Sequence, residues 1–255
     1  MSKKNQTLNF RIVNSQNFIS FLKKIKLVDK SVPLEIEGTN IFAKVRTPDK
    51  SVIKYVCVNT SEIFEGDLPS SRLKIGILEI GKLIDVFKYF GPEEELNLSI
   101  EAQPYEGSLV STGMKFSSSS LNISIKCADI SLLAYIDDNI QKSIHSTEGS
   151  EVNFEISKES FQKISSLTGI ESNSEELLNF DVHENGVSVR GNSFQYHIIK
   201  DKKTTGFSNP CVYTIYKNQF SYIDQENSEI HFHENRILVK SMESDSIIAI
   251  GLVEV

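Results

Sequence analysis

Apolar and polar residues alternate along most of this chain, the pattern of strands with one buried and one wetted face. The alternation predicts strands at Leu8–Val13, Val32–Glu37, Ile41–Val45, Val52–Val58, Leu73–Leu78, Leu96–Glu101, Gly113–Ser117 and Leu121–Cys127. Past the midpoint it predicts Val152–Ile156, Leu178–His183, Val187–Arg190, Gln195–Lys200, Val212–Ile215, Glu229–His233, Ile237–Ser241 and Ile247–Val253. The polar tract Pro104–Thr112 and the serines Ser117–Ser120 are expected as turns between strands.

Four segments take the helical period instead, and each directly follows a strand. Phe18, Phe21, Leu22 and Ile25 fall at i, i+3, i+4 and i+7, and Ile80, Leu83, Ile84 and Phe87 repeat that spacing. A third helix opens on Ser157 as N-cap, carries Phe161, Ile164, Leu167 and Thr168, and stops at Gly169. The fourth is short, Lys217–Asp224, with Phe220 and Ile223.

The chain thus repeats one unit, a strand, a helix and about three strands, four times over in two halves. Leu8-Asn9-Phe10-Arg11-Ile12 answers Val152-Asn153-Phe154-Glu155-Ile156, and Phe18 and Phe21 answer Phe161 and Ile164. The expected organisation is a domain over 1–130, a connector rich in Asp and Ser over 131–150, and a second domain over 151–255.

With 255 residues, 39% hydrophobic and 24% charged, the chain can bury a large core. No apolar run approaches the roughly 18 residues that span a membrane, and Met1–Thr7 is polar, so a soluble cytoplasmic protein is expected. Cys57, Cys127 and Cys211 are scattered, with no CxxC pair, which argues against a disulfide framework or a zinc site and for buried thiols. Glu229, His231 and His233 alternate onto one face of a strand, but no third nitrogen or sulfur ligand is near in sequence. An exposed polar sheet face is the expected explanation. No phosphate loop, GxSxG or HExxH motif is present, so nothing supports a nucleotide site, a cofactor or an enzyme.

The formal net charge of -7 argues against nucleic acid only if the charge is evenly spread. It is not. Lys23 and Lys24 lie away from the first apolar stripe, Lys82 lies opposite the second, and Lys163 lies opposite Phe161 and Thr168. Lys26, Lys30, Lys88, Lys158 and Lys217 fall on flanks or ends of the same helices, with Asp85 and Glu159 as interruptions. Acidic residues gather elsewhere, as in Glu93-Glu94-Glu95 and Glu175-Glu176.

Two copies of a domain built from two such units resemble the sliding-clamp family of polymerase processivity factors, in particular those of large tailed phages. The resemblance covers nearly the whole chain and is best in the second half, over Phe154–Gly169, Asn179–Asn192 and Ser246–Val255. It implies an α+β DNA clamp fold, two similar domains with antiparallel sheets outside and two helices each inside. Two domains per chain, rather than three, imply a homotrimeric ring. The resemblance further implies duplex DNA bound without sequence preference, a DNA polymerase and an ATP-dependent clamp loader as partners, in the host cytoplasm if the protein is viral.

On that resemblance Lys23, Lys24, Lys26, Lys82, Lys88, Lys158, Lys163 and Lys217 are the expected DNA contacts. Leu132, Tyr135 and Ile136 of the connector, with Leu252 and Val253 near the C-terminus, are expected to border a pocket for partner peptides. The connector departs from the long, ordered loop of eukaryotic clamps, being acidic and poorly patterned. Edge strands for the subunit contact are expected near Met114 and Phe194–Ile199. Competing readings are a non-encircling viral processivity factor, a β-rich virion protein, and a hydrolase using Glu229 or His231.

Overall fold

The computed structural model describes residues 5–91, 94–134, 136–170, 176–184, 186–200 and 209–253, the side chains of 199 and 200 excepted. They form an α+β fold in two compact units, Met1–Arg46 with Tyr55–Ile136, and Thr47–Lys54 with Asp137–Val255.

The first unit holds β1 (Gln6–Ile12), α1 (Ser15–Lys26), β2 (Val32–Glu37), β3 (Asn40–Arg46), most of β4 (Val52–Asn59), β5 (Phe64–Gly66), β6 (Leu73–Ile77), α2 (Ile80–Val86), β7 (Leu96–Tyr105), β8 (Ser108–Ser117) and β9 (Asn122–Lys126). Its strands run in the order β3-β2-β6-β8-β7-β1-β5, with β9 also on β8. Pairing is antiparallel except where β6 meets β8 at Leu73 and Leu109.

The apolar stripe predicted for α1 is the one it buries: Phe18, Phe21, Leu22 and Ile25. Asn14 caps the helix by accepting the Asn17 N–H at 3.0 Å, and Lys23, Lys24 and Lys26 in the last turn complement the helix dipole. In α2, Ile80, Leu83 and Val86 face inward, and a 3₁₀ turn then buries Phe87 edge-on to Phe18 and Phe116. Leu96, Leu98 and Ile100 on β7 face the same core.

One expectation for this unit is corrected, and one strand is unforeseen. Pro104–Thr112 is mostly strand, because the β7–β8 hairpin closes on only Glu106 and Gly107, both with positive φ (46° and 78°). The primed two-residue turn needs just those two residues, so the polar composition around it does not stop pairing. The three-residue β5, paired to β1 from Phe10 to Ile12, is too short to show an alternation.

The second unit holds α3 (Asp138–His145), β10 (Val152–Ile156), α4 (Lys158–Thr168), β11 (Leu177–His183), β12 (Gly186–Arg190), β13 (Gln195–Lys200), β14 (Cys211–Tyr216), α5 (Lys217–Phe220), β15 (Ser228–His233), β16 (Arg236–Ser241) and β17 (Asp245–Gly251). Its two sheets are β10-β15-β16-β17 and β13-β12-β11-β14. Between them pack Phe154, Phe161, Phe180, Ile230, Phe232 and Ile250, with the Tyr213 ring stacked on Phe232 at 4.2 Å. Ser157 caps α4, as expected, by accepting the Ser160 N–H at 3.2 Å.

The poorly patterned connector nevertheless contains a helix. Asp137 caps α3 through the Asn139 N–H, Ile144 is its one buried residue, and Arg236 donates to the Oγ and carbonyl of Ser143. Anchoring by caps and one apolar side chain leaves no periodic stripe in the sequence.

Candidate nucleic-acid interface

Each helix that carries an expected lysine buries its apolar stripe, so its polar face turns outward by default. On α1, Lys23 and Lys26 are exposed and Lys24 is half-buried. A Cβ placed on Gly81 would lie 3.4 Å from Lys26 Nζ, so the α1 lysines reach the start of α2. There Lys82 pairs with Glu79 at 2.9 Å and Lys88 with Asp85 at 2.6 Å. Hydrogen bonding to Lys88 holds the Asp85 carboxyl below the usual carboxylate range, and the Lys26 charge adds to that effect. Lys23 and Lys26 have no ion-pair partner among the described residues, which makes them the principal free cations of this face.

On α4, Lys158 and Lys163 are exposed, and Lys163 Nζ stands 5.7 Å from the centre of the Tyr196 ring on β13. The other exposed residues of α4 and α5 are the acidic Glu159 and the uncharged Gln162, Ser166 and Asn218. Lys217 is a correction: its side chain is only 10% exposed and its ammonium lies 3.3 Å from Glu176. The sequence hid this because Glu176, just before β11, lies 41 residues away.

The edges of the sheets also differ in part from expectation. Met114 is not at an edge, because β8 is flanked there by Ile100 on β7 and Ile125 on β9. Among the described residues β9 pairs only with β8, and β13 only with β12. Thus β9 is an edge in the first unit, as β5 is, and β13, over the expected Gln195–Lys200, is an edge in the second.

No protein-family model matches the sequence, and no curated protein does. Solved structures match over nearly all of it. A proliferating cellular nuclear antigen from Entamoeba histolytica aligns over 97% of this chain and 99% of its own, with a TM-score of 0.69 and 9% identity. The A. fulgidus PCNA bound to the C-terminal region of FEN-1 aligns over 97% and 99%, with a TM-score of 0.66 and 10% identity. A DNA polymerase III beta chain from Streptococcus pneumoniae gives 0.66 at 14% identity, over 97% of this chain but 65% of its own. The fold is that of the DNA clamps.

Within this clamp fold the expected partner-docking residues do not behave alike. Leu132 is 82% exposed, whereas Ile136 is 2% exposed and belongs to the core of the first unit, which removes it as a docking contact. Tyr135 lies outside the described residues. Leu252 packs half-buried against the core of the second unit, and the Val253 N–H donates to the Thr214 carbonyl at 2.9 Å.

His231 and His233 are likewise corrected, since both are buried rather than on an exposed polar face. His231 Nε2 lies 3.2 Å from Glu229, and burial pushes the His233 pKa down, with Arg236 and His231 adding to the effect. No cluster of three metal-ligating side chains occurs among the described residues. Cys57 is buried as expected, and Cys127 and Cys211 are half-buried.

Proposed function

We propose that this clamp fold serves as a polymerase sliding clamp of the two-domain phage type, a mechanical rather than a catalytic part of replication. Three copies close head to tail around duplex DNA, and the ring tethers polymerase to its template. The observation that carries this reading is the match to clamp structures over 97% of the chain and 99% of the E. histolytica protein, with an edge strand in each unit. Pairing β9 of one copy with β13 of the next is a heterologous contact, which generates a ring when its rotation closes. Coverage of about two thirds of the beta chains supports two domains where those proteins have more, and hence three copies rather than two.

Processivity in such a ring comes from topology. A closed ring cannot leave DNA sideways, so a tethered polymerase keeps a high effective concentration at the primer end. Lys23, Lys26, Lys158 and Lys163, helped by Lys24, Lys82 and Lys88, meet the phosphates without reading bases. Their small number suits a ring that slides. Opening the ring requires an ATP-driven loader. Leu132 in the first unit, and separately Leu252 and Val253 in the second, remain the residues offered to partner peptides.

Light scattering across a dilution series tests the assembly. A mass near three times 28.7 kDa at high concentration, with retention on circular but not linearised DNA after loading, is the expected result. A mass of one chain at every concentration would remove the ring and leave a non-encircling processivity factor.

A further inference from the structure

We propose that a cavity at the tip of the β7–β8 hairpin receives a Lys or Arg side chain from an extended segment of a protein partner. The cavity, of about 630 Å³, lies wholly within the first unit, between the hairpin tip and the start of the connector. That volume falls in the range of ligand sites, roughly 300–1,000 Å³. Its walls combine the Tyr105 ring, Val110 and Leu133 with two charged residues, Glu106 and Asp129, both acidic.

Each part suits a cation on an aliphatic stem. Tyr105, 48% exposed, offers a ring face to a guanidinium or ammonium. Val110 and Leu133 offer apolar contact to the methylenes that precede the charge. The Asp129 carboxyl is held below its usual range by the Ser131 N–H and hydroxyl, so it stays anionic. Ser111, 3% exposed, lines the cavity with its hydroxyl beside the Cys127 thiol and with no oxygen or nitrogen partner among the described residues. A buried hydroxyl whose one neighbour is a weakly bonding thiol is poorly satisfied, and an incoming donor improves on it.

Glu106 supports the same assignment. It holds φ 46°, a left-handed conformation that glutamate disfavours and that asparagine would adopt more readily in this turn. An acidic side chain at the rim of the cavity gives that choice a purpose. Charge complementarity therefore selects a basic partner segment over an acidic or neutral one.

The test titrates the full chain, deuterated and ¹⁵N-labelled, with acetyl-Leu-Arg-amide, using the Leu-Gln and Leu-Glu analogues as controls. The expected result is saturable shifts of the Ser111, Thr112 and Ser131 amides with the Arg peptide only. Glu106→Asn should weaken binding about three- to fivefold, as for an exposed ion pair, while raising the melting temperature. Equal binding of the Arg and Gln peptides, shifts that map elsewhere, indifference to Glu106→Asn, or no binding of any peptide would each overturn the proposal. None of these readouts requires a ring or DNA, so such a failure leaves the clamp reading intact.

Discussion

Lys54 Nζ lies 2.7 Å from Asp224 Oδ1, a contact between residues 170 apart in the chain, and the Lys54 side chain is completely buried there. The Tyr222 carbonyl accepts a second bond from the same ammonium at 3.1 Å, and Asp224 Oδ2 accepts from the Ser246 hydroxyl at 2.7 Å. This network ties the first residues of β4 into the second unit. Removing one partner leaves a buried charge without compensation. Lys54→Ala is therefore expected to cost about 3–5 kcal/mol in urea unfolding, whereas Lys54→Met combined with Asp224→Leu should recover most of the loss.

A backbone contact fixes the start of the connector just as tightly. A Cβ at Gly76 would stand 2.1 Å from the Ala128 carbonyl oxygen, and the Ala128 N–H donates to the Gly76 carbonyl at 2.8 Å. Gly76→Ala must push the Ala128 segment off β6. Faster hydrogen exchange and proteolysis over 128–134, at little change in the second unit, are expected.

The contrast between these two contacts shows what the sequence discloses. Phe18, Phe21, Leu22 and Ile25 announce α1 because one helix face meets one core, and periodicity records that directly. Ser157 likewise announces the start of α4. The β7–β8 hairpin and α3 do not announce themselves, because each is defined by local geometry: a two-residue turn in one case, caps and Arg236 in the other. The lysines of the helices are legible one by one. The i,i+3 spacing of Lys82 from Glu79 and of Lys88 from Asp85 also lies open in the sequence, whereas the pairing of Lys217 with Glu176, 41 residues away, depends on tertiary neighbours that periodicity does not encode.

That pairing makes the lysines unequal in DNA binding. Fluorescence anisotropy on duplex DNA between 50 and 200 mM salt is expected to give a shallower log–log slope for Lys23→Ala with Lys26→Ala, by about 0.9 for each phosphate no longer neutralised. Lys217→Gln should leave the slope unchanged, because that ammonium is already bound to Glu176.

Acidification should destabilise the second unit through His233. Burial, then the Arg236 and His231 charges, lower its folded pKa, while Glu151 acts in the opposite sense. The unfolded chain then binds more protons than the folded one below a pH of about 6.5, the ordinary histidine value. The stability is present above that pH and is lost as pH falls toward the folded pKa. Melting temperatures should drop from pH 7 to pH 5.5, and His233→Gln should flatten part of that slope.

The proposed ring makes its sharpest demand on Ile125. Its side chain on β9 is half-buried and, with Leu78, Leu83 and Met114, lines a small cavity of about 170 Å³ at the edge of the first unit. Leu78 is 62% exposed beside it, an apolar surface that a neighbouring strand would cover. In a single chain, Ile125→Asp gives up a half-buried side chain, a loss on the order of 1 kcal/mol that lowers the melting temperature but leaves the fold in place. At an interface the same change places an unpaired carboxylate against a strand of the next copy, which costs far more than the missing packing. Sedimentation should then find single chains at concentrations where the parent forms three-chain assemblies, with polymerase stimulation abolished and the fold retained. An unchanged assembly would move the subunit contact away from β9.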